Sequence, residues 1–344
     1  MWNKLAWNRA LWSKDYKQAK FLLWMLPVIT FLFMGFSTYF SLLAIDDDTL
    51  KWRLADLEDG VYQLSAITNN EAMLRVALAI VVILLAALLI GGERRGSMND
   101  FSFSLPYTRS ELFFSKWKIG AVFLIASVLV NVLIDIGFTL ASKFAPYLEL
   151  GYYMKETGSM TIALLALFTF ALVVGTFTGN WITQVVLTGI FSVFPFGFYF
   201  ICTYGFMIHA PAVRAARWNI EDNPLFIFAS NMSLGIHILD YTPLEHIYAW
   251  VPVVMILILL PLGAWIYERN KIENNGKMVI FPIIEPVLKW GVVVCCGLTG
   301  GMFFEGISYG DMNKAEYYTG FLLAAAAAYL VMRFVIRRRF RERS

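Results

Sequence analysis

Residues 91–118, GGERRGSMNDFSFSLPYTRSELFFSKWK, hold eight Asp, Glu, Lys and Arg residues between two long apolar runs. Glu93, Arg94, Arg95, Arg109 and Lys116 suit charge-assisted hydrogen bonds, which are about twice as strong as neutral ones. Phe101 and Phe103 add apolar anchors between them. Ser104-Leu105-Pro106 predicts a break, because proline disfavours helix at the residue before it. Thr108 or Ser110 can cap the next helix, with Glu111 in its first turn. The stretch therefore reads as a short helix, a break and a second helix, a socket for a soluble partner. An ordinary positive hairpin between two apolar runs would also carry this charge. The order of acid, bases, Gly96-Ser97, Leu105-Pro106, Arg109 and Lys116 is more specific than a hairpin requires.

Elsewhere, reactive residues are sparse. Asn131 and Asp135 stand one helical turn apart inside an apolar run. An Asp at a membrane centre costs about 2.5–3.5 kcal/mol on insertion scales. Asp135 is thus expected either to face a bundle or wet cavity, as a transport-path or helix-pairing group, or to lie in the outer third and reach water. Asp46, Asp47 and Asp48 open an acidic segment, 45–72, but a divalent ion needs several converging oxygens, so a solvated loop is expected. His209, His237 and His246 lack a His-Glu-x-x-His pattern, and no metal site is expected. The chain has no Gly-x-x-x-x-Gly-Lys-[Ser/Thr] loop for phosphates and no Gly-x-Ser-x-Gly elbow. Cys202, Cys295 and Cys296 fall in apolar runs and read as packing residues. Gly175/Gly179 and Gly297/Gly301 read as close-contact pairs. No catalytic residues, metal or bound cofactor are assigned.

The elements that must position these groups are long and apolar. Of 344 residues, 59% are hydrophobic and 15% charged, and mean hydropathy is +0.63. Soluble domains carry about 25% charged residues. About 20 apolar residues span a bilayer core, and eight such runs occur, in 21–44, 73–91, 119–141, 160–179, 181–208, 247–267, 288–307 and 317–336. The fold class is all-α, a polytopic membrane protein. The first run is not a cleaved signal peptide, since it comes after a 20-residue polar-aromatic leader. With the N-terminus inside, 20 of the 28 Lys and Arg residues fall inside, which predicts two cytoplasmic termini and a cytoplasmic 92–118 loop.

The leader 1–20, with Trp2, Leu5, Trp12, Tyr16 and Ala19 near one face, predicts an interfacial amphipathic helix. Pro195, with Gly189, Gly197 and Gly205, predicts a kinked or broken fifth span. The half-apolar segment 209–246 predicts a re-entrant element. Residues 21–268 read as a six-span core. Residues 269–344 read as a linker, two further spans and a basic tail, RFVIRRRFRERS, that suits anionic lipid better than nucleic acid.

On Glu93-Arg94, Gly96-Ser97, Leu105-Pro106, Thr108-Arg109 and Ser115-Lys116, the charged stretch resembles the first intracellular loop of ABC-2-type transporter permeases. These are membrane subunits of many bacterial ABC exporters. Asn99 departs from that pattern, where the family commonly has Glu. The leader, the layout of the first six spans and the two added spans are similar to the longer Bacillus-type members. The resemblance implies a six-span ABC-2, or type V exporter-like, core in the bacterial plasma membrane. It implies a second permease subunit and a separate cytoplasmic ATPase that holds ATP and Mg. It also implies that the 93–106 helix sits in a groove of that ATPase, and that an amphiphilic substrate leaves along spans two and five. Two other readings use the same residues differently. An integral-membrane transferase would work at the outer acidic segment, and a sensor or scaffold would use the inner loop without moving substrate.

Overall fold

The computed structural model describes residues 9–58, 71–95, 106–209, 223–239, 247–270, 284–307 and 314–341. Among them every regular element is helical: α1 Arg9–Phe33, α2 Gly35–Leu42, α3 Asp47–Glu58, α4 Glu71–Ala86, a π-helical turn Ala87–Gly91, α5 Gly92–Arg95, α6 Arg109–Ala141, a 3₁₀ turn Ala145–Tyr147, α7 Leu150–Phe177, α8 Trp181–His209, α9 Pro224–Met232, α10 Leu234–Leu239, α11 Val251–Glu268, α12 Ile284–Ile307 and α13 Lys314–Arg341. Eight stretches are long and apolar enough to cross a membrane, beginning with Arg9–Leu42 and ending with Lys314–Phe334. They coincide with the eight apolar runs, as expected when every backbone N–H in lipid must be satisfied within its own segment.

Packing divides the chain into two units. The first comprises Met1–Ser192 and Leu234–Ile280. Its central helix is α7, with 72% of its most apolar window buried, and α4, α6, α10 and α11 pack on it. Leu23, Leu78, Phe113, Leu124, Leu164 and Phe168 form the middle of its core. Lipid tails are as apolar as leucine, so helices associate in a bilayer through close contact. Glycine supplies that contact here. A Cβ at Gly120 would lie 2.1 Å from Phe168 Cζ, and one at Gly263 would lie 2.6 Å from Phe113 Cζ.

The second unit comprises Val193–Ser233 and Phe281–Ser344. Its α12 and α13 form an intimate pair. A Cβ at Gly300 would come 2.2 Å from Ala324 Cβ, and one at Gly297 would come 2.9 Å from Phe321. The second half of α8 belongs to this unit. The Tyr204 hydroxyl donates to Glu305, His209 Nε2 and the Tyr318 hydroxyl lie 2.6 Å apart, and Gly205 lies against Tyr317. Packing thus groups the end of span five with the last two helices.

Several elements differ from expectation in detail. From Arg9 onward the leader is continuous with the first span in a single helix. It buries Leu11, Asp15, Ala19, Leu23 and Leu26 along one face, while Trp12 and Tyr16 stack on Phe123 of α6 at 6.5 and 6.0 Å. The first span then breaks at Met34 (φ −100°, ψ −85°) before α2. α8 runs through Pro195 unbroken, and the Phe196 N–H next to the proline donates to Ser233 Oγ at 2.8 Å. The acidic segment includes a helix, α3, with Asp47 and Asp48 in its first turn, where they complement the helix dipole. In the 209–246 segment the described residues form α9 and α10. The rest of it, and with it the expected re-entry, lies outside the described residues.

The glycine contacts give the first prediction. Overpacking a tight site costs about 1–3 kcal/mol, so Gly120→Ala lowers the thermal unfolding midpoint in detergent by several degrees. Gly137→Ala on the same helix, where a Cβ meets nothing within 4 Å, leaves the midpoint unchanged or higher. Equal midpoints for the two variants would contradict the contact.

Candidate functional site

The charged stretch begins where α4 changes its winding. The π-helical turn inserts one residue relative to α-helical phase, which rotates the residues after it by about 100° at 3.6 residues per turn. Gln18 of α1 donates to the Leu88 carbonyl in that turn at 2.7 Å. Gly91 lets the turn approach α8, since a Cβ there would lie 2.7 Å from Trp181 Cβ. The consequence is that Glu93, on α5, points into the protein and is 1% exposed.

The stretch ends at α6, whose start is fixed by a capping box. Thr108 is the N-cap: its Oγ1 accepts from the Glu111 N–H at 3.3 Å, and the Thr108 N–H donates to Glu111 Oε2 at 2.9 Å. Two donors of the first turn are thereby satisfied. Arg109 donates to the Glu268 carbonyl at 3.2 Å and to the Asn270 carbonyl, so it closes the C-terminal end of α11. Asn270 in turn donates through Nδ2 to the Thr176 carbonyl at 3.1 Å, at the end of α7.

Lys116 lies two turns past Arg109 and is 1% exposed. Its ammonium is 2.8 Å from Glu93 Oε1 and 3.3 Å from Asp15 Oδ1. Lys14, part-exposed, also reaches Glu93 Oε1 at 2.8 Å, and Ser115 Oγ donates to Asp15 Oδ2 at 2.7 Å. Two acids and two bases from α1, α5 and α6 therefore close a neutral, mostly buried clasp. A buried ion is tolerated only when its partners offset several kcal/mol of lost hydration. Burial by itself raises the Glu93 carboxyl, but the Lys116 and Lys14 ammoniums outweigh it and hold the group below its usual 4.5.

The clasp gathers some of the predicted residues and not others. Glu93 and Lys116 meet, and both are buried. Arg109 faces the end of α11. Pro106 is exposed, two residues before the cap. Arg94 and Arg95 lie on α5 with their side chains outside the described set, and Gly96, Ser97, Phe101, Phe103 and Leu105 lie outside the described residues. Asn131 and Asp135 belong to the other end of the same bundle. Asn131 Nδ2 donates to the Ser127 carbonyl at 2.8 Å and to the Pro27 carbonyl at 3.4 Å. Asp135, 2% exposed, accepts from the hydroxyls of Thr38 on α2 and Tyr153 on α7. That is the geometry of helix pairing. Pro195 is on α8, beside Ser233. Sequence reasoning missed Lys14, Asp15 and Gln18. The available signal was that Asp15 is the one acid in a leader otherwise rich in lysine. It also missed Arg75, placed four residues into the Ala72–Gly91 span. Among the described residues, no three His, Cys, Asp or Glu side chains converge as a metal set.

Removing one member of a buried pair strands a charge and costs about 3–5 kcal/mol. Lys116→Met is therefore expected to unfold the protein at a markedly lower temperature, and adding Glu93→Gln to recover part of the loss. The Glu93 carboxyl titrates below its unfolded value of 4.5. Its stabilisation is thus complete above pH 4.5 and lost as pH falls through the lower folded value. The midpoint difference between wild type and Glu93→Gln should be full at pH 7 and shrink below pH 4.5. A difference independent of pH would contradict the charged clasp.

No family model matches the chain, and no solved structure matches it. Two curated proteins of Bacillus subtilis (strain 168) are similar to it. One, named "Probable ABC transporter permease YtrD", is 22% identical over 268 residues, 74% of this chain and 75% of the relative. The other, named "Probable ABC transporter permease YtrC", is 26% identical over 254 residues, 69% of each chain. Together with eight membrane-length helices, these similarities support a permease subunit of an ABC transporter.

Proposed function

We propose that the chain is the membrane-spanning subunit of an ABC-2-type exporter, and that ATP is bound and hydrolysed, with Mg, on a separate cytoplasmic subunit. The observation that carries the reading is the clasp beneath the charged stretch. Both flanks of that stretch, Glu93 and Lys116, are locked to each other and to the leader helix α1. A load applied to residues 96–105 by a soluble partner thus reaches α1 and α6 together.

In this mechanism the ATPase grips the loop, with Phe101 and Phe103 as apolar anchors and Arg94 and Arg95 as charge-assisted contacts. Closure of the ATPase on ATP displaces the loop, and the clasp passes the displacement to the spans. The spans then exchange between two packings rather than deform continuously. The clasp end of the bundle is cytoplasmic, with both termini on that side of a bacterial plasma membrane. A second permease subunit completes the path. The apolar composition of the spans favours an amphiphilic substrate. A transferase would instead depend on the outer acidic segment, where α3 lies. A scaffold would need the inner loop yet be indifferent to ATP turnover.

The test is co-expression with the ATPase encoded beside the chain, followed by detergent purification and an ATPase assay. The two should co-purify. Phe101→Ala/Phe103→Ala should reduce capture at least tenfold without moving the unfolding midpoint. Glu93→Gln, whose change is internal, should retain capture and lose substrate-stimulated turnover. A correctly inserted, thermally stable protein that captures no ATPase would sink the proposal.

A further inference from the structure

The π-helical turn at Ala87–Gly91 is held from two sides by other helices. In α-helical winding the Gly92 N–H would bond the Leu88 carbonyl, four residues back. Here it bonds the Ala87 carbonyl instead, and Gln18 Nε2 of α1 donates to the Leu88 carbonyl at 2.7 Å. A side chain of the first span thus replaces the donor that the wider winding takes away. On the other side lies the start of α8. A Cβ at Gly91 would come 2.7 Å from Trp181 Cβ, 2.8 Å from Trp181 Cα and 3.0 Å from Gln184 Oε1. Gln184 is itself fixed. It is 1% exposed, it donates to the Ala171 carbonyl of α7 at 2.9 Å, and a Cβ at Gly175 of α7 would lie 2.4 Å from its Nε2.

We propose that this turn is a two-register latch, which closes the clasp only while span five is seated against Gly91. Sterics select the register. A return to α-helical winding would turn the residues after the insertion by about 100°, so that each takes the place of its successor. Ile90 would then occupy the seat of Gly91, and Gly92 the seat of Glu93. No isoleucine enters a seat where a Cβ alone meets Trp181 at 2.7 Å. With span five seated, only the π register fits, and it delivers Glu93 to Lys116. With span five withdrawn, α-helical winding is allowed, and the clasp receives a glycine in place of its carboxylate.

Span five is suited to such a movement. It is the least buried of the first six spans, with 17% of its most apolar window covered against 72% for α7. π turns are rare and occur mostly as single-turn insertions in α-helices, often at functional sites. This one takes its supports from α1 and α8, so its winding follows them. By linkage the effect is reciprocal: a closed clasp favours a seated span five as much as the seat favours the clasp. The input is separate from a load on residues 96–105, because it enters from span five.

The test reads the clasp through Glu93→Gln, as the drop in thermal unfolding midpoint that it causes at pH 7 in detergent. Gly91→Ala, which forces α8 off its seat, should cut that drop at least twofold. Gly92→Ala should leave it unchanged, because a Cβ there meets only side-chain ends, Leu88 Cδ1 at 3.2 Å and Gln18 Nε2 at 3.6 Å. Gln18→Leu, which withdraws the substitute donor, should cut the drop as well. Ile182→Ala, on the exposed face of α8, should not affect it.

Deleting Leu88, the one residue of the turn that is only half-buried, removes the extra residue and restores α-helical winding with Glu93 in its place. In Gly91→Ala with that deletion the drop should return to its wild-type size, a recovery that general loosening of the fold would not show. Should Gly91→Ala or the deletion fail to insert, Gln18→Leu decides the matter. An unchanged drop in either Gly91→Ala or Gln18→Leu overturns the latch. So does a reduced drop in Gly91→Ala that the deletion fails to restore in a folded protein. Every measurement is made without an ATPase, so the latch stands or falls apart from the transport reading.

Discussion

A charge withdrawn from water must meet its opposite, and this constraint organises the better-packed half of the molecule. Glu93, Lys116 and Asp15 are each under 3% exposed, and none could occupy its position without the others. Asp15 brings the leader helix, Glu93 the end of the second span and Lys116 the start of the third. Geometry that apolar packing would leave adjustable is thereby specified atom by atom. Pairs of this kind are weak evidence for added stability, because desolvation offsets much of the attraction. What they supply here is register: α1, α5 and α6 meet at one rotation and one depth.

The helices between the two ends obey a different rule. In lipid, apolar surface has no water to escape, so contact area and small residues decide which helices touch. α7 sits at the centre with α6 and α11 on it, and Gly120 and Gly263 admit Phe168 and Phe113 at distances a methyl group would block. The first span can break at Met34 because both of its parts are held. The clasp fixes α1, and the Thr38 hydroxyl on Asp135 fixes α2. A break without such tethers would leave backbone groups and a short helix to find partners in hydrocarbon.

The eight spans were legible because a run of about 20 apolar residues has few alternatives, and the Thr108 cap was legible because Thr-x-x-Glu before an apolar run has a local mechanism. The orientation of Glu93 was not legible. Its direction depends on the π-helical turn at Ala87–Gly91, and nothing in ALLIG marks an extra residue in the winding. Lys116 and Asp15 are separated by 101 positions, and no local pattern links them. Proline in span five suggested a break, yet a hydroxyl 37 positions away at Ser233 receives the N–H beside it. Local chemistry was readable throughout. Pairings over long sequence separations were not, and the clasp consists of them.

This division between ends and middle bears on how such a chain could transmit force. Separating a buried ion pair costs about 3–5 kcal/mol, five or more times thermal energy, so α1, α5 and α6 should move as one body when the loop above them is loaded. A rigid lever requires compliance elsewhere. The first span supplies it at Met34, where the backbone leaves helical geometry (φ −100°, ψ −85°). Displacement entering at the clasp would be carried along α1 without loss and released as a change of angle at that break. The Arg75–Glu156 pair lies beside the break and ties α4 to α7 where the first span changes direction.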